Sequence, residues 1–176
     1  MIKIRYGMFE TNSSSVHSIV IDVSGTSHVV EDCMKVYGGE YGWGHDVLGT
    51  PQERACYLWQ GIWTCTPHEQ DKPDNLAEWK EKILAWLPNA TFVDVDEDER
   101  NDIGEDDDNG FHFGWYPGVD HGWELYEMLC EFWEDDELLG AYLTGDNSHV
   151  VCSNDNEDEL GFFYPDCDYI EYEKGN

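Results

Sequence analysis

Two stretches of the sequence hold residue types that do chemistry. The first is Thr11–His17 (TNSSSVH), three serine hydroxyls just ahead of an imidazole. Serine and histidine form a nucleophile–base pair when their side chains come within hydrogen-bond reach and a third group orients the base. Residues this close in sequence rarely meet in that geometry, and the chain has no Gly-x-Ser-x-Gly elbow to expose a serine. The plainer expectation is a turn in which Asn12 and the serines bond the local backbone between two strands.

The second stretch is Asp94–Gly110 (DVDEDERNDIGEDDDNG), with ten carboxylates and one arginine, Arg100. Calcium takes several oxygens, and an EF-hand loop delivers them at fixed positions. Asp94, Asp96 and Asp98 stand at the first, third and fifth positions of such a loop, and Glu105 at the twelfth. The sixth, which needs glycine for its sharp turn, holds Glu99, and the eighth holds Asn101. The flanks read as strands, where an EF-hand has helices. Zinc fares no better: there is no Cys-x-x-Cys pair, and Cys65-Thr-Pro-His68 has ligand spacing without a second pair. No glycine-rich phosphate loop is present. The sequence predicts no metal site and no cofactor.

A scaffold must carry these stretches. Ile2–Tyr6 and Val16–Val23 read as strands, the second buried and rich in β-branched residues. Glu31–Tyr37 and Gln52–Trp63 are helix candidates, the latter with Thr50 as N-cap and Pro51 in its first turn. Pro73–Leu87 is a clearer helix: Leu76, Trp79, Ile83 and Leu87 share one face, Glu78, Glu81 and Lys82 the other, and Pro88 ends it. Ala90–Val95 and Phe111–Tyr116 read as strands of a hairpin whose long loop is the acidic run.

Gly122–Asp135 is the second strong helix. Leu125, Tyr126, Leu129, Cys130, Phe132 and Trp133 fall in one arc of its wheel, and Glu124, Glu127, Glu131, Glu134 and Asp135 in the opposite arc. A short helix over Leu138–Leu143 and strands at His149–Cys152 and Tyr169–Tyr172 complete the pattern. Strands and helices mix without a βαβ rhythm. This predicts an α+β fold: a single compact domain over residues 1–176 with a mixed or antiparallel sheet and two or more amphipathic helices.

Hydrophobic residues make up 40% of the 176 positions and aromatics 14%, which is too apolar for a disordered acidic chain. The formal net charge is nevertheless −30. Residues 1–90 carry seven Lys+Arg against twelve Asp+Glu, a balance of −5; residues 91–176 carry two against twenty-seven, a balance of −25. Direct binding to nucleic acid or to an anionic membrane is excluded by sign. No run approaches about 18 apolar residues, so no membrane span is expected. The opening MIKIRYGMFE lacks the apolar stretch of an export signal, and the six cysteines are expected as reduced cytosolic thiols.

The opening KIRYGMFETNSSSVHSIVI resembles the start of small proteins of phages and prophages of Gram-positive bacteria, which carry a Phe-Glu-Thr-Asn-Ser-Ser-Ser-x-His segment. Gly145–Asn156 (GDNSHVVCSNDN) is similar to their second recurring stretch. The two motifs span roughly a fifth of the chain and imply an origin, a phage accessory protein acting in the host bacterial cytoplasm, rather than an activity. Known DNA-mimic inhibitors are similar to this chain only in charge and size.

Origin and charge together predict a decoy. Double-stranded DNA carries one negative charge per about 1.7 Å of axis, and carboxylates at i, i+3, i+7 and i+10 of a helix lie about 5–6 Å apart. The expected function is an anti-CRISPR or anti-restriction inhibitor. It would bind the basic cleft of a host CRISPR effector or restriction enzyme by nucleic-acid mimicry or channel blocking. The expected contact residues are Asp94, Asp96, Glu97, Asp98, Glu99, Asp102, Glu105, Asp106, Asp107 and Asp108 of the run, and Glu124, Glu127, Glu131, Glu134 and Asp135 of the helix. No catalytic residue is assigned. The alternatives are a small hydrolase-like enzyme using Thr11–His17, or a phage structural or assembly protein whose acidic face docks a basic virion partner.

Overall fold

The computed structural model describes residues 2–5, 15–25, 27–39, 41, 46–65, 72–93, 125–154 and 169–174. In chain order the elements are β1 Ile2–Arg5, β2 Ser15–Asp22, β3 Met34–Val36, β4 Asp46–Leu48, α1 Pro51–Cys65, α2 Lys72–Trp86, β5 Ala90–Phe92, α3 Leu125–Glu134, α4 Asp136–Thr144, β6 His149–Asn154 and β7 Tyr169–Lys174. The fold is α+β, as the mixed pattern predicts. Thr11–Ser14, the whole acidic run and the Phe111–Tyr116 strand expected across from it lie outside the described residues.

Five strands form one sheet in the order β1-β7-β2-β6-β4. β1 runs parallel to β7; the other neighbours are antiparallel, with His17 opposite Cys152 and Ile19 opposite Val150. β2 is buried on both faces. Ile19 and Ile21 point into the main core, and Ser18, Val20 and Asp22 on the alternate face are buried as well. The apolar run Ile19–Ile21 suits a strand covered on both sides, and the polar residues flanking it are buried with it.

α1 is the central helix. Every residue from Arg54 to Trp63 is buried, so it is surrounded on all sides rather than amphipathic. Its start is a reciprocal capping box. Glu53 N–H donates to Thr50 Oγ1 at 3.2 Å, while Glu53 Oε2 accepts from the Thr50 and Gly49 amides at 2.9 and 3.0 Å. Pro51 occupies the first helical position, where its missing N–H is no loss. α2 buries Leu76, Trp79 and Ile83 and hands over to buried Leu87, while Glu78 and Glu81 stay exposed.

The helix expected at Glu31–Tyr37 is instead β3. Met34 and Val36 are buried and Lys35 exposed, a period of two. β3 pairs in parallel with β5, Met34 opposite Ala90 and Val36 opposite Phe92. α1 fastens the segment that follows: Tyr37 N–H donates to Cys56 Sγ at 3.5 Å and Gly39 N–H to Gln60 Oε1 at 3.0 Å. So short a segment cannot sustain a helix alone, and a parallel partner far along the chain decides its state.

Candidate partner-binding surface

α3 and α4 meet at a corner where the chain carries four acidic residues in a row, Glu134 to Glu137. The corner is locally encoded. Asp135 leaves the helical conformation between the two helices, and its side chain accepts from Leu138 N–H at 3.0 Å, capping α4. Asp136 and Glu137 then fall in the first turn of α4, where the helix dipole favours negative charge.

Beneath the corner lies the core. Leu125, Met128, Leu129 and Phe132 of α3 are buried at i, i+3, i+4 and i+7. Phe132 packs on Tyr142 of α4 with ring centroids 5.0 Å apart. The single apolar arc drawn from the wheel divides here. Tyr126, Cys130 and Trp133 are exposed, and Met128 takes a core place beside Leu125 and Leu129. Hydrophobicity sets the arc, but the neighbouring helices decide how much of it they cover.

Glu127, Glu131 and Glu134 stand on the one helix α3, at i, i+4 and i+7. Glu131 is half-buried; Glu134 and Asp135 are exposed. Asp94, Asp96, Glu97, Asp98, Glu99, Asp102, Glu105, Asp106, Asp107, Asp108 and Glu124 lie outside the described residues. Two exposed carboxylates not predicted for this surface, Asp136 and Glu137, extend it. The run Glu134-Asp-Asp-Glu137 carried the signal, but the wheel stopped at the end of the first helix.

Arg54 is turned into the core, and Lys80 and Lys82 are held against aromatic rings. Arg54 is 1% exposed and donates to main-chain carbonyls of Gly49, Leu143, Gly145 and Ser148. Burial lowers its pKa, opposed by Tyr142, Glu53 and Asp146. Lys80 Nζ lies 5.3 Å from the Trp59 ring and 5.6 Å from the Phe92 ring. Lys82 Nζ lies 5.2 Å from the Trp133 ring and pairs with Asp136. Comparison of the chain with protein-family models, with curated proteins and with solved structures finds no match.

His17 of the Thr11–His17 segment points into the core. It is 1% exposed; its Nδ1 is hydrogen-bonded to the Tyr57 hydroxyl at 2.9 Å and lies 3.5 Å from Cys152 Sγ. Tyr41 packs edge-on against Tyr57 at 5.1 Å. Tyr41's hydroxyl titrates above the ordinary phenol range, mainly because burial disfavours the phenolate. Burial likewise pushes the Cys56 thiol up, the opposite of what a thiolate nucleophile needs. His17 thus sits beside residues of α1 and β6, as the expectation that it does not pair with the preceding serines allows; Thr11–Ser14 lie outside the described residues.

Among the described residues, no group of three or more His, Cys, Asp or Glu is arranged to hold a metal ion. No described helix is long and apolar enough to cross a membrane. Cys33, Cys56, Cys130 and Cys152 are thiols rather than disulfides.

Proposed function

We propose that the protein is a phage-encoded acidic inhibitor of a bacterial nucleic-acid-binding defence protein, a CRISPR effector or a restriction enzyme. It acts in the cytoplasm of the infected cell. The observation that carries this reading is the α3–α4 corner, where Glu134, Asp135, Asp136 and Glu137 are all exposed above a packed hydrophobic core. Carboxylates held outward by a rigid scaffold are pre-organised, so a cationic cleft does not have to order them on binding. The charge of −25 on residues 91–176 adds long-range steering toward such a cleft. The resemblance of the opening segment to small phage proteins supplies the context in which a decoy is useful.

The test is cleavage of DNA by restriction enzymes and CRISPR effectors in the presence of the protein. The expected inhibition is competitive with DNA and fades as salt rises, because screening weakens exposed charge pairs. Reversing Glu131→Lys and Glu134→Lys together weakens it while the thermal melt is retained. Inhibition indifferent to both salt and charge reversal refutes mimicry.

A further inference from the structure

Between its buried face and its acidic face, α3 presents a third strip: Tyr126, Cys130 and Trp133 at i, i+4 and i+7. Tyr126 is 55% exposed and Trp133 37%. The indole of Trp133 is braced from below by an edge-on contact with Trp79 at 5.1 Å. A cation already lies against this ring: Lys82 Nζ, 5.2 Å from its centroid, with Asp136 as counter-charge. The Asp136 side chain is 72% exposed, so its carboxylate still faces solvent beyond that pair. The strip is therefore an aromatic surface flanked by carboxylates, a combination that attracts cations through both ring quadrupole and charge.

Resting on the decoy reading above, we propose that this strip is where arginines of the partner dock. Guanidinium groups stack on Trp133, where they compete with Lys82, and on the neighbouring Tyr126, and pair with Glu134 and the solvent-facing side of Asp136. The protein thereby selects arginine-rich basic surfaces over lysine-rich ones of equal charge. A guanidinium is planar, weakly hydrated and able to bond a carboxylate while stacked; an ammonium is compact and holds its water. Arginine is also the residue with which nucleic-acid clefts grip phosphates and guanine edges. A second copy of the chain does not suit the strip, since each copy carries −30.

Labelled oligoarginine and oligolysine of equal length are titrated against the intact protein by fluorescence anisotropy at one ionic strength. Oligoarginine is expected to bind about threefold or more tighter. Trp133→Leu, which keeps apolar contact with Trp79, lowers that ratio toward one by weakening oligoarginine binding more than oligolysine binding. Tyr126→Leu, at a more exposed position, lowers it as well and decides the matter if Trp133→Leu fails to fold. Equal binding of the two peptides by the native protein, or a ratio that neither substitution moves, overturns the arginine site and leaves the decoy reading standing. Failure of both peptides to bind overturns both.

Discussion

The guanidinium of Arg54 lies 2.8 Å from the carbonyl oxygen of Leu143, joining the first turn of α1 to the last turn of α4. The same group also serves the carbonyls of Gly49, Gly145 and Ser148, and Tyr142 returns a bond by donating its hydroxyl to the Arg54 carbonyl at 2.9 Å. A helix C-terminus leaves its last carbonyls without intrahelical donors, and a buried cation answers both that need and the dipole. Arg54→Met removes the donors and leaves buried acceptors unmet. The expected loss is about 3 kcal/mol or more in urea unfolding. Arg54→Lys, which keeps a cation, should lose less; equal losses would refute the role given to the multidentate guanidinium.

Gly140 sits in the interior of α4, where alanine is ordinarily better by about 1 kcal/mol. A Cβ built there meets Trp86 Cζ2 at 2.5 Å. Gly140→Ala is therefore expected to destabilise by about 1–3 kcal/mol despite the gain in helix propensity. Trp86→Leu in the same background should relieve part of the loss, which a double-mutant cycle would measure.

Glu53 titrates below the ordinary glutamate range, chiefly because its carboxylate accepts from the Thr50 amide; the Thr50 hydroxyl, the Gly49 amide and Arg54 add to the effect. A carboxylate with a depressed folded pKa stabilises the fold above its unfolded pKa, and that contribution disappears as pH falls through the folded value. Glu53→Gln should lower the melting temperature at neutral pH. The gap to the native protein should close as the solution is acidified below about pH 4. A gap constant with pH would assign the loss to something other than the ionised capping box.

At the alkaline end the sign is opposite. Tyr41 and Tyr142 titrate above the ordinary phenol range because burial penalises the phenolate. The unfolded chain releases these protons first, so stability is intact below the unfolded phenol pKa of about 10 and declines as pH rises beyond it. The raised Cys56 thiol starts the same decline somewhat earlier. Tyr41→Phe should flatten the slope of melting temperature against pH above that point. An unchanged slope would remove Tyr41 from the account.

The parts of this fold legible in the sequence were those whose causes are local. Thr50 and Pro51 mark the start of α1, and Leu76, Trp79 and Ile83 mark the inner face of α2 by spacing alone, with buried Leu87 just beyond its end. β3 was not legible, because its three residues take their state from β5, with Met34 opposite Ala90. The surface divides in the same way. The carboxylates of α3 could be read directly, but not the place of Asp136 and Glu137 on the same surface, nor the exposure of Trp133, which depends on how far α2 reaches across it. The indole's contacts come from Trp79 and Lys82, both far away in sequence. The partners of His17, Tyr57 and Cys152, were equally beyond the reach of the sequence, since both lie far away along the chain.

β7, residues 169–174, is inserted between β1 and β2, with Ile170 beside both Ile2 and Ile21. During synthesis the first strands leave the ribosome long before the piece that must lie between them. The sheet cannot close until residue 174 has been made, and the two earliest strands wait with unpaired edges. Premature termination ahead of this strand would therefore leave an open, sticky intermediate rather than a smaller working protein.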